Sequence, residues 1–140
     1  MDSSQRGTGD ALQGESVTTR PVLANAGAMS QFIGPFEVTS KLGGQTYQCR
    51  FSHMWNGIAT RHADTIDTKF FVDGQAYVVG LAHTAFVKFR DKARRDLTDR
   101  EASFVAAEYL RERLGEDDIR PLYDVPESAV LRLINLIGIK

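Results

Sequence analysis

The amino-acid sequence predicts an α+β fold: an antiparallel β-meander of four to five strands over about 35–82, then two to three helices packed on one face of the sheet. Three observations carry this. Apolar and polar residues alternate on either side of Gly43-Gly44 and Asp73-Gly74, as half-buried strands joined by tight turns require. The period lengthens after Ala82, where Phe86, Phe89 and Ala93 recur at helical spacing. Thr98-Asp99-Arg100-Glu101 then forms a capping box ahead of ASFVAAEYLRERL, a run of good helix formers.

Residues 1–30 are rich in Gly, Ser, Thr and Ala without sustained periodicity, so a flexible leader is expected there and a single α+β domain over 31–140. Met29, just ahead of SQFIGPFEV, is a candidate start of translation, the alternative being that the first 28 residues are an extension of the domain. In PFEVTSKL the residues Phe36 and Val38 begin a strand, and Gly43-Gly44 supplies a two-residue hairpin turn. QTYQCRFSH follows, with Tyr47, Cys49 and Phe51 on one side and Gln48, Arg50 and Ser52 on the other. Asn56-Gly57 is a turn dipeptide that would reverse the chain into IATRH as a third strand, with HADTID as a polar connection. TKFFVDGQAYVVGL reads as a second hairpin about Asp73-Gly74, with Tyr77, Val79 and Leu81 facing the core.

Residues 44–53 and 74–83 share four identities in ten: Gly, Gln, Tyr and His. Two independent hairpins account for this echo, since glycine belongs to the turn and the apolar residues alternate after it. Beyond the capped helix, Gly115 is placed to stop it, and GEDDIRPLYDVP reads as a loop. A last helix begins near Pro126. Its polar residues Ser128, Arg132 and Asn135 form one narrow stripe, so most of its surface must be buried, in its own core or against a second subunit. Val130, Leu133, Ile134 and Ile137 are the candidate interface residues.

Composition narrows the function classes. The net charge of −1 gives no global field for polyanions, although residues 41–97 carry +4. A single cysteine, Cys49, allows no internal disulfide and suits a reducing cytoplasm. The amino terminus has neither the basic start nor the apolar core of a secretory signal, and no apolar run is long enough to span a bilayer. No GxxxxGK[ST] or strand-to-helix GxGxxG loop is present to cradle phosphates, and no HExxH or CxxC to hold a metal.

Four groups of residues remain as candidates. His53 and His83 end the two matched strands, and by alternation both face the same side as the neighbouring apolar residues. With His62 and Asp64 they could form a metal-dependent or acid–base site; the competing reading is histidines bonded to nearby carbonyls. Cys49 could pair with a histidine as a nucleophile, but a mid-strand thiol between Tyr47 and Phe51 reads as buried packing. Lys88, Arg90, Lys92, Arg94 and Arg95 put five basic residues within eight positions, which could meet a phosphate backbone or an acidic partner; Lys88, Lys92 and Arg95 would line one helix side. Trp55, beside a turn, is a further candidate for binding. The resulting expectation is a small cytoplasmic, non-enzymatic module that binds a protein partner or itself as a homo-oligomer, with no cofactor, no resident metal and no membrane. The histidine site stands as the alternative, and weak nucleic-acid binding through 88–95 as a further one.

Overall fold

The computed structural model describes residues 32–140. The leader expected over 1–30 and the alternative start at Met29 lie outside these residues. Along the chain the elements are β1 (Phe36–Thr39), β2 (Thr46–Asn56), α1 (Gly57–Arg61), β3 (Thr65–Val72), β4 (Gln75–Ala82), α2 (His83–Ala93), α3 (Asp99–Gly115), β5 (Leu122–Val125) and α4 (Glu127–Ile137). The sheet runs in the order β1-β2-β3-β4-β5. Its first four strands are an antiparallel meander, as the alternation predicts.

The fifth strand corrects the reading of 115–126 as a loop. After two helices the chain returns and lays β5 parallel to β4, with Val79 opposite Tyr123 and Leu81 opposite Val125. A parallel neighbour needs such a crossover, because a tight turn can only reverse the chain. Tyr123 and Val125 are both buried, and the Tyr123 hydroxyl donates to the Asp118 carbonyl at 2.7 Å.

The turns show which signals were sufficient. At Asp73-Gly74 both residues have positive φ, 49° and 83°, as a two-residue turn of type I′ demands. The β1–β2 connection is longer than the predicted Gly43-Gly44 turn: the last paired residues are Thr39 and Thr46. Ser40 organises it, its hydroxyl oxygen accepting from the amides of Leu42 and Gly43 while donating to Asp117. Asn56 does not make a hairpin either. Its side chain accepts from the Ile58 amide at 2.8 Å and caps α1, so IATR is a helical turn rather than a strand.

One core lies on one face of the sheet, where α2, α3 and α4 pack. From the strands it takes Val38, Cys49, Phe70, Val72, Val79 and Leu81. From the helices it takes Phe89, Val105, Leu110, Leu114, Val130, Leu133 and Ile134. The capping box of α3 forms as predicted: the Thr98 hydroxyl accepts from the Glu101 amide at 3.1 Å, and Glu101 accepts from the Thr98 amide at 2.9 Å. The last helix is less covered than its composition predicts, since Leu136 is 62% and Ile137 37% exposed. Among the described residues, no helix is long and apolar enough to cross a membrane.

Candidate functional site

The face of the sheet opposite the three long helices is built from residues in clean register. One row crosses four strands: Trp55, Asp67, Gly80 and Asp124. Beside it runs His53, Lys69, Val78 and Leu122, and beyond that Arg50, Phe71 and Ala76.

The first row is closed by α1. Arg61 at its end grips the fully buried Asp67 with two bonds, Nε to Oδ2 at 2.7 Å and Nη2 to Oδ1 at 2.9 Å. The same Nη2 reaches Asp124 on β5 at 2.7 Å, and the Thr65 hydroxyl donates to Asp67 at 2.7 Å. Burial works against the Asp67 carboxylate, but the bonds from Arg61 and Thr65 outweigh it and hold its pKa below the usual value. The bond to Asp67 in turn raises that of Arg61. Two glycines make room for this clasp. A Cβ at Gly80 would run into Arg61 and come within 2.6 Å of Asp67 Oδ1, and one at Gly57 would strike the Thr65 hydroxyl. The clasp is a bidentate pair whose oxygens are internally satisfied, so it fastens α1, β3 and β5 together.

The predicted histidine group is dispersed. A bulge at Ser52, between the pairs Phe51–Phe70 and His53–Lys69, reverses the alternation of β2. His53 therefore leaves the side of Cys49 and Phe51 and lies on the face opposite the three long helices, its ring 5.0 Å from that of Trp55. Burial, then the nearby Lys69 charge, lowers its pKa. His83 opens α2 and stacks on Phe86; its amide donates to the Asp64 carbonyl at 3.0 Å, while its ring Nδ1 stands 3.9 Å from the Asp64 carboxylate, beyond hydrogen-bond reach. His62 ends α1 in a left-handed conformation, φ 55°. Among the described residues no three His, Cys, Asp or Glu side chains converge as a metal site would need. Cys49 is buried, and desolvation, followed by the Asp73 charge, pushes its thiol up to about 11.

The basic segment is interrupted as well. Arg94 adopts φ 66° and ends α2, so Arg95 falls beyond the helix and off the predicted line with Lys88 and Lys92. Arg95 turns back to hold Glu101 with two bonds of 2.8 Å, and it also bonds the Lys140 carbonyl. Arg90 pairs with Asp96 at 3.6 Å, and Lys88 with Glu127 at 2.5 Å.

Lys88 and Lys92 nonetheless border a groove that the sequence did not reveal. It lies between α2, α4 and the chain end, with a volume of about 610 Å³. Phe89, Ala93, Leu131, Ile134 and Ile139 make an apolar lining, Asn135 is its neutral polar residue, and Lys88, Lys92 and Lys140 add the charge; no Asp or Glu lines it. Three of the predicted interface residues, Val130, Leu133 and Ile134, are buried within the fold, and only Ile134 among them reaches the groove.

Comparison with protein-family models, with curated proteins and with solved structures gives no match.

Proposed function

We propose that the protein is a non-enzymatic interaction module that docks an acidic amphipathic helix of a partner protein in the groove between α2 and α4. The observation that carries this reading is the groove's lining: five apolar residues with three lysines, one asparagine and no acidic residue. An amphipathic helix laid in such a groove buries its apolar stripe, and acidic residues flanking the stripe meet the lysines. Lys88 already pairs with Glu127, so Lys92 and Lys140 carry the selection for charge. Burial of Val130 and Leu133 in the core draws the reading away from self-association through that helix face.

The test is a methyl-NMR titration with a synthetic helical peptide of Leu, Ala and Glu, set against the same peptide with Lys in place of Glu. The glutamate peptide is expected to shift Leu131 and Ile139 in a saturable way, and Leu131→Glu with Lys92→Glu to abolish the response. Equal shifts from both peptides, or none from either, overturn the reading.

A further inference from the structure

Given the groove reading, on which this rests, we infer that the groove orients its helix by charge: the partner is acidic at one end only, and that end lies at Lys92 and Lys140. The ground is a difference between the two ends of the groove. Its walls run the same way. Lys88 on α2 pairs with Glu127, the first residue of α4. Past the end of α2, Arg95 bonds the Lys140 carbonyl at 2.6 Å, past the end of α4. Start therefore lies beside start, and finish beside finish.

Charge follows the same axis. Glu127 stands one helical turn ahead of Leu131, on the same side of α4 as the groove. Bonds from Lys88 and then Thr84 hold its carboxyl below the usual value, so it is ionised at neutral pH and cancels Lys88. At the other end, Lys92 and Lys140 form no ion pair among the described residues. The neighbouring Arg90 and Arg95 are matched by Asp96 and Glu101. Acidic residues of a docked helix are thus attracted at the Lys92 end and repelled by Glu127 at the Lys88 end. A helix with acids at both ends brings one set against Glu127; a helix with acids at one end avoids this by lying in a single direction. The repulsive contact selects among partners as much as the attractive one does.

The probes are three synthetic peptides of one Leu, Ala and Glu composition, stapled so that each is helical when free. The glutamates stand in the first turn, in the last turn, or divided between the two. Each peptide carries a nitroxide at its amino end, and the readouts are the dissociation constant and the paramagnetic broadening of the Leu131 and Ile139 methyls in the full chain. The first-turn peptide is expected to broaden Ile139 and the last-turn peptide Leu131, because moving the charge turns the helix round. Both should bind roughly two- to fivefold more tightly than the divided peptide. Glu127→Gln should remove that advantage, and Lys92→Gln with Lys140→Gln, both at exposed positions, should make each label broaden the two methyls alike. If the first-turn and last-turn peptides broaden the same methyl, or the divided peptide binds as tightly, the inference is overturned while the groove reading stands. No saturable shift from any peptide removes both.

Discussion

Glu101 joins two contacts that depend on its charge. It receives both arms of Arg95, and it closes the capping box with Thr98. The Arg95 bonds, ahead of an opposing burial effect, hold its carboxyl down at about 2, against an ordinary value of 4.5. A depressed folded-state pKa stabilises the fold at pH above the unfolded value, and that stabilisation is lost as pH falls toward the folded one. Urea midpoints of the parent and of Glu101→Gln should therefore differ at neutral pH and converge between pH 4.5 and 2. A constant gap across that range would refute the assignment. Cys49, which the sequence offered as a possible nucleophile, packs opposite Val72, and its high pKa leaves little thiolate at neutral pH.

Elements are where the sequence was most legible and also where it misled. Asp73-Gly74 and the Thr98 box are local signals, complete within four residues, and both form as read. Asn56-Gly57 is equally local but ambiguous, since an asparagine side chain can cap a helix as well as enter a turn. The bulge at Ser52 has no local mark. It is decided by which residues of β3 must face the core, and it alone removes His53 from the predicted cluster. β5 did carry a trace, Tyr123 and Val125 alternating about Asp124, but four residues between Pro121 and Pro126 gave it little weight beside the surrounding turn formers. The clasp left one signal, Gly80 within an otherwise apolar strand, since glycine there marks a close approach of another group. Its partners, Arg61, Asp67 and Asp124, meet only once three elements are in place. Arg61→Ala strands a buried carboxylate and is expected to cost about 3–5 kcal/mol of unfolding free energy. Gly80→Ala should destabilise by displacing the same guanidinium and by crowding Asp67 Oδ1, so in combination with Arg61→Ala only the part of its cost that comes from the guanidinium should vanish. Chemical denaturation of the three variants checks both; full additivity would show that Gly80 matters for another reason.

At the scale of the molecule, the sheet is assembled from two kinds of pairing. The meander joins neighbours in the chain, whereas β5 reaches β4 only after α2 and α3 have been traversed. The last segment also brings Tyr123, Val125, Val130, Leu133 and Ile134 into the core. A chain ended after Asp118 should consequently fail to reach a cooperative native state and should self-associate in size-exclusion chromatography. A monomeric fragment with a sharp thermal transition would show that the first four strands and three helices suffice.

The late placement of β5 also orders events during synthesis. While the ribosome is still adding residues beyond Gly115, the meander can already pair, but β4 keeps a bare row of amides and carbonyls along one side. That edge is the strand carrying Val79 and Leu81, so the nascent chain passes through an interval in which an apolar border waits for Leu122–Val125 to be made. A pause in translation there would prolong the exposure, and a holding chaperone would find its substrate at that border.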